Sequence, residues 1–331
     1  MMTVFSRRFF RNVLPLALLL FTLAPAAPGA SSEDRLTFRM IAGRKYLRAA
    51  DVARYFGMKL YSASDRYEMR GSAGSMVFTP QKRYGSFNGT VVTYSFPPVA
   101  QNGVFYISES DFQNFLQPLL NTRSLRSTEV HTIMLDPGHG GTDTGARGKR
   151  FLEKNLTLQT AFQVKKALER FGYRVLMTRT NDRTVSLEQR SWMSNNAKAD
   201  LFISLHMNAT TGTAIRGIET FALTPSGAPS SGSDTVLYNR YPGTPALLNS
   251  TALGISVQHS LIRATGAFDR GLKRARFVVL RNTRCPALLI ECGFVTNRSE
   301  ENLLGSPAYR EKIAQAIVEG IRHYQLRIRR Q

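Results

Sequence analysis

Residues 133–148 read IMLDPGHGGTDTGARG, and this stretch decides how the rest of the chain is read. An apolar run ends in Asp136, and a proline and several glycines then carry His139 out of it. A short apolar run bounded by turn residues reads as a strand buried on both faces. The histidine on the following turn is not placed as a core histidine would be. Nor is the turn a phosphate cradle, because no Gly-Lys-Ser/Thr follows it.

Working outward from that strand, the chain alternates strand and helix. After "TIMLD", Leu158, Ala161, Val164, Leu168 and Phe171 mark a helical stripe closed by Gly172. "YRVLMT" is a strand, and a helix follows from the cap Ser186 to about Asn196. "DLFISL" and "IETFAL" are strands, "STALGISVQHSLIRAT" is a helix closed by Gly266, and "RFVVL" and "PALLI" are strands. Ser306-Pro307 opens a last helix with Tyr309, Ile313, Ala316, Ile317, Gly320 and Tyr324 on one face. Strands this apolar predict an α/β fold with a mostly parallel sheet flanked by helices, over residues 132–326. "TPSGAPSSGSD" reads as a surface loop.

Residues 36–120 have a different texture, of short β-rich runs broken by turns. Asn88-Gly89 between alternating stretches is a hairpin signal, and helices are expected at Ala49–Phe56 and Ser110–Leu120. This predicts a small α+β domain before the larger one, joined by a linker over residues 121–131, "NTRSLRSTEVH". The segment has no histidine and no clustered carboxylates, so no chemistry is assigned to it. "YLRAADVARYFG", β runs and then "GVFYISESDFQNFL" resemble the small stalk modules at the start of copper amine oxidases. That resemblance implies a spacer or wall-binding module, not copper.

The first 30 residues read as a signal peptide: Arg7, Arg8 and Arg11, then "VLPLALLLFTL", then the small residues "APAAPGA". The apolar stretch is short for a bilayer span, an uncleaved anchor being the alternative. "SRRFFRN" resembles a twin-arginine export signal. The protein is therefore expected to work in the cell envelope, in the periplasm or outside the cell. The chain carries a formal charge of +21, of which those three arginines supply three, leaving +18. For an exported protein this excess points away from nucleic acid, toward anionic wall polymers or acidic lipid headgroups. Cys285 and Cys292 flank a strand, which separates them by roughly 23 Å. A disulfide needs about 4.4–6.8 Å between Cα atoms, so both read as core thiols.

In open α/β sheets, ligands bind beyond the carboxyl ends of the strands. His139 follows "TIMLD", His206 follows "DLFISL", Glu291 follows "PALLI", and Glu153 opens the first helix. Each has an ordinary structural reading alone: a turn residue, a strand-end histidine, an acid favouring a helix N-terminus. Glu291 resists one, because a carboxylate ending an apolar strand is costly without a partner. Together, two histidines and a carboxylate with an open fourth position make a catalytic zinc site, and a second glutamate is left to carry protons. His131, His259 and His323 lie in the linker, a helix and the tail and are read as structural.

At this point the motifs carry a resemblance. "LDPGHGGTDTGARG", "EKNLTLQTA", "DLFISLHMNA", "FVVLRNT" and "PALLIECGFVTNRSEENLL" together are similar to the zinc-dependent N-acetylmuramoyl-L-alanine amidases, amidase type 3, from Thr132 to about Tyr324. The resemblance implies zinc on His139, Glu153 and His206, and Glu291 as the catalytic acid/base. It implies hydrolysis of the amide between the muramic acid lactyl group and L-alanine in peptidoglycan. Some members carry a helical plug between the second histidine and the last glutamate, released by an activator. Here Gly212 to Ser250 is Gly/Ser/Pro-rich with no amphipathic helix, so a plug is not expected and an activator protein stays open. Cys292 marks a small-residue position, not a nucleophile. Two other functions share these residues: a catalytically idle wall-binding protein on the same fold, and a zinc hydrolase of another wall-derived amide.

Overall fold

The structure, a computed structural model, describes residues 36–329. The signal peptide and twin-arginine readings fall on residues 1–30, outside the described residues.

The apolar run around Met134 forms the expected strand, Thr132–Pro137, and it lies inside the sheet. It pairs in parallel with Arg174–Met177 on one side and Leu201–Asn208 on the other. Leu201–Asn208 pairs in parallel with Ala287–Phe294. Beyond that the direction reverses: Ile218–Leu223 runs antiparallel to Ala287–Phe294, and Asp269–Ala275 runs parallel to Ile218–Leu223. The α/β expectation holds, but the sheet is mixed.

Alternation along these strands divides the core in two. Ile133, Leu135, Ile203, Leu205, Leu288 and Ile290 face a large cluster that includes Val164, Leu168, Leu253, Ile313 and Ile317. Those residues come from helices Glu153–Glu169, Leu247–Thr265 and Pro307–Arg329. Met134, Phe202, Ala287 and Leu289 face a smaller cluster with Val279 and Leu280. Helices Leu187–Asn196 and Val278–Asn282 belong to that side.

Caps stand where the sequence places them. The Ser186 side chain accepts from Gln189 N in a capping box, and Gly266 ends its helix in the left-handed conformation. Asn88 and Gly89 both have positive φ, at 46° and 81°, and close a hairpin in which Phe87 faces Thr90. Cys285 and Cys292 are free thiols, and Cys292 is buried.

Several readings are corrected. The run "RFVVL" is no strand: Val278–Asn282 is a short helix whose Val279 and Leu280 close the smaller core. Short apolar runs do not separate the two structures by pattern. The strand beside Ile218–Leu223 is instead "DRGLKRA", Asp269–Ala275, whose polar composition hid it. Its Arg274 is buried because Nη2 donates to Asn114 O at 3.0 Å and to Thr251 Oγ1 at 2.9 Å. On the first helix the inward face is Leu156, Thr160, Ala161, Val164 and Leu168, while Leu158 is half-buried and Phe171 exposed. The helix expected at Ser110–Leu120 is broken by a wider π-type turn at Phe112–Leu116. The "TPSGAPSSGSD" loop contains Ala228–Pro229, which pairs with Val236–Leu237, and Ala228 is buried.

Part of the segment expected as a separate module continues the same sheet, while Phe38–Ile41, Arg44–Arg48, Val104–Ser108 and Val99–Gln101 form a four-stranded sheet of their own. Leu272 pairs with Val92 in parallel, and Thr90–Thr93, Tyr84–Phe87, Gly74–Phe78, Tyr67–Gly71 and Lys59–Ser62 follow as further strands. Met69, Met76, Phe78 and Phe115 join the same apolar cluster as Ile133. The expected linker is packed as well: Val130 is buried, and Arg126 N donates to Asn249 Oδ1 at 3.0 Å. The described residues, 36–329, belong to one compact unit.

Candidate metal centre and cleft

The site begins with a steric constraint. His139 is in the left-handed region at φ 62°, which aims its side chain back over the strand ends. A Cβ on Gly138 would lie 2.3 Å from the His206 ring, and one on Gly145 would lie 2.6 Å from both Glu153 Oε2 and the His139 ring. Only glycine lets the loop close on these side chains.

Once closed, the loop brings three ligand types together. His139 Nε2 lies 3.2 Å from Glu153 Oε2, and His206 Nδ1 lies 2.9 Å from Glu153 Oε1. The two imidazole rings are 4.9 Å apart, nearly perpendicular. One ligand atom from each of the three residues lies within 4.8 Å of the others, and no other group of this kind occurs among the described residues. The Glu153 carboxylate is fixed from behind, accepting from Ala146 N at 2.7 Å and Met207 N at 3.0 Å. Burial pushes this carboxyl up, but hydrogen bonds from His139 and His206 outweigh it and hold it well below the usual range. For His139, burial opposes protonation, while Glu153 and Asp143 favour it and leave the pKa raised.

This donor set fits zinc. Two imidazoles and one carboxylate converge, the carboxylate is held ionised, and a second acid orients a ring. That second acid is Asp143, whose Oδ2 lies 2.8 Å from His139 Nδ1, leaving Nε2 turned to Glu153. The sequence reading passed over Asp143, although a carboxylate four residues after a histidine in one turn was a signal for it.

Glu291 stands next to this group in strand register. It is opposite His206 across parallel strands and opposite Glu219 across antiparallel ones. Its Oε2 is buried with no hydrogen-bond partner. Burial pushes its carboxyl well above the usual range, Glu153 and Glu219 push the same way, and Lys273 opposes them. Glu219 was also missed, though it breaks "IETFAL" as Glu291 breaks its own strand. Unlike Glu291 it is fully engaged, by Asn208 Nδ2 at 2.9 Å, Arg270 Nε at 2.8 Å and Lys273 Nζ.

His139, His206 and Glu291 line one cleft of about 590 Å³, and Glu153 is buried at its back. Val185, Leu187, Phe277, Val278 and Val279 supply an apolar wall. Beneath the histidine loop, Arg190 Nη1 meets Asp136 Oδ1 at 2.6 Å, and its Nη2 donates to His139 O at 2.8 Å. Of the residues nominated from sequence, the structure brings all four together. His131, His259 and His323 stay outside the cleft lining.

Comparison with known proteins agrees with this geometry. The chain is 35% identical over 226 residues to the N-acetylmuramoyl-L-alanine amidase LytC of Bacillus subtilis, covering 66% of this chain and 42% of that protein. It is 32% identical over 228 residues to the N-acetylmuramoyl-L-alanine amidase AmiA of Escherichia coli, covering 61% and 78%. The crystal structure of an N-acetylmuramoyl-L-alanine amidase from Clostridium difficile 630 superposes with a TM-score of 0.51 at 33% identity, over 60% of this chain and 97% of that one. The profile of the Amidase_3 family, N-acetylmuramoyl-L-alanine amidase, matches residues 133–323, and the chain belongs to that family.

Proposed function

We infer that this protein hydrolyses the amide between the lactyl group of muramic acid and L-alanine in peptidoglycan. The observation that carries the reading is the buried Oε2 of Glu291, which has no hydrogen-bond partner, in the same cleft as His139 and His206. Burial of such an oxygen favours the protonated carboxyl and so a group that can take up and release a proton.

His139, Glu153 and His206 would hold the metal. A zinc ion there supplies Lewis acidity toward a carbonyl and lowers the pKa of water from ~15.7 to about 7. Asp143 keeps the His139 ring in one orientation, and Ala146 N and Met207 N keep the Glu153 carboxylate in one rotamer. Glu291 takes the proton of the attacking water and delivers it to the departing alanine nitrogen, a role worth typically about 10²–10⁴-fold. Its raised proton affinity, set by burial, suits both halves of that transfer. The apolar wall at Phe277–Val279 excludes water from the reacting bond.

The relatives named above are N-acetylmuramoyl-L-alanine amidases by name, and the chain spans 42% of the length of LytC. That likeness supports work in the cell envelope, reached by export. The charge of +18 left after the first 30 residues supports retention on anionic wall polymers or acidic headgroups. Within residues 212–250 the only α-helix among the described residues begins at Leu247 and packs in the main core, and 212–243 hold none, which lends no support to a helical plug.

The test is digestion of purified sacculi, with the released fragments identified by mass spectrometry. Stem peptides with a free L-alanine amine and unbroken glycan are expected. Release of a different fragment would assign another wall amide. A zinc-loaded protein that binds sacculi and releases nothing would assign a binding role.

A further inference from the structure

Between the N-terminal segment and the cleft lies the loop of residues 225–237, and two arginines grip it from different parts of the chain. Arg83 precedes the strand Tyr84–Phe87. It donates Nη1 to Ser233 O at 2.9 Å and Nη2 to Pro229 O and Ser230 O, both at 3.2 Å. Its Nε donates to Tyr94 O at 3.2 Å, which ties the guanidinium to its own segment. Arg276 lines the cleft. It donates Nη2 to Ala228 O at 2.6 Å and Pro225 O at 3.2 Å, and Nη1 to Ser230 Oγ at 3.1 Å. Ser230 is therefore held by Arg83 at its carbonyl and by Arg276 at its hydroxyl.

The loop is also clipped to the strand that leads into the cleft. Ser231 N donates to Arg274 O at 2.8 Å, and Arg274 N donates to Ser231 Oγ at 2.9 Å. Arg274 reaches back to the N-terminal segment at Asn114 O. The residues that follow, Arg276, Phe277, Val278 and Val279, all line the cleft.

A guanidinium is a rigid planar fork, so one that meets four carbonyls fixes the orientation of everything attached to them. A loop made largely of Ser, Gly and Pro has little core of its own to replace such contacts. We propose that Arg83 is a positioning residue for the catalytic cleft: acting through the 225–237 loop and Arg276, it sets where the Phe277–Val279 wall stands. The segment ahead of the amidase domain thereby shapes substrate binding while contributing no group to the chemistry. What fills the cleft rests on the amidase reading; the coupling itself does not.

The test uses the full chain with Arg83→Ala and Arg83→Lys. Hydrogen exchange is followed by mass spectrometry in peptides covering 226–237 and 275–280, and KM and kcat are measured on a soluble N-acetylmuramoyl-peptide. In Arg83→Ala both peptides should exchange faster while Thr132–Pro137 is unchanged. KM should rise roughly threefold or more with kcat within about twofold, because the wall binds ground and transition states alike. Arg83→Lys keeps the charge but not the fork and should fall between. Faster exchange confined to 226–237, with KM unchanged, would overturn the proposal. If Arg83→Ala does not fold, Arg83→Lys is judged by the same criteria. A wild-type protein that cleaves nothing refutes the amidase reading, and the exchange measurement then still decides the coupling.

Discussion

Glu291 and Glu219 stand directly opposite each other on antiparallel strands, and they are treated in opposite ways. Glu219 is bound by Asn208, Arg270 and Lys273, whereas Glu291 keeps a buried oxygen with no partner. Two carboxylates whose environments differ this much are suited to different work, one as a fixed charge and one as a proton carrier.

Glu291→Gln preserves shape and removes the base. Zinc content should stay near one per chain, while turnover on sacculi falls by roughly 10²–10⁴-fold. Elemental analysis and peptide release are measured on one preparation. Loss of zinc in this variant would make Glu291 a ligand and displace Glu153 from that role.

Replacing His139, Glu153 or His206 by alanine should lower zinc content in each case. Their ligand atoms lie within 4.8 Å of each other, close enough to hold one ion. A variant that keeps its full metal content would remove that residue from the set.

Asp143 would act on a metal held by His139 only through that ring's Nδ1, 2.8 Å away. Asp143→Ala should therefore weaken zinc affinity or activity by about 10–100-fold, the range for an orienting partner of a ligand histidine. Competition with a chelator gives the affinity. An unchanged affinity and rate would show that the ring is held without it.

Asp136 and Arg190 form a buried ion pair, with side chains 1% and 4% exposed. Thr178 Oγ1 and Ser204 Oγ complete the carboxylate, at 2.6 Å and 2.7 Å. Arg190→Leu leaves that charge buried and unpaired and frees the carbonyl of His139. Stability should fall by about 3–5 kcal/mol, read from denaturant unfolding.

A chain starting at residue 127 would lose the strand next to Leu272 and the buried Phe112, Phe115, Leu116 and Leu119. It should melt well below the full chain or aggregate through its bared sheet edge, as judged by calorimetry and size-exclusion chromatography. A truncation with the full chain's melting temperature would restore the picture of an independent stalk.

What the amino-acid sequence by itself determined are the features with local causes. A carboxylate or imidazole at the end of an apolar strand is conspicuous because burial there is costly without a function, and this marked His139, His206 and Glu291. The Asn88-Gly89 turn, the Ser186 cap and the Gly266 stop each depend on a residue's own φ preference or its short-range hydrogen bond. Only the tertiary structure decided the reversed direction of Ile218–Leu223, since alternation along a strand carries no information about the direction of its neighbour. It also made "DRGLKRA" a strand and "VVLRN" a helix, because partners distant in sequence satisfy Arg274 and cover Val279. The union of residues 36–120 with the catalytic sheet has the same origin: it rests on Leu272 meeting Val92 and on Arg83 and Arg274 reaching distant carbonyls. Such long-range pairings have no period and no local signature in the chain.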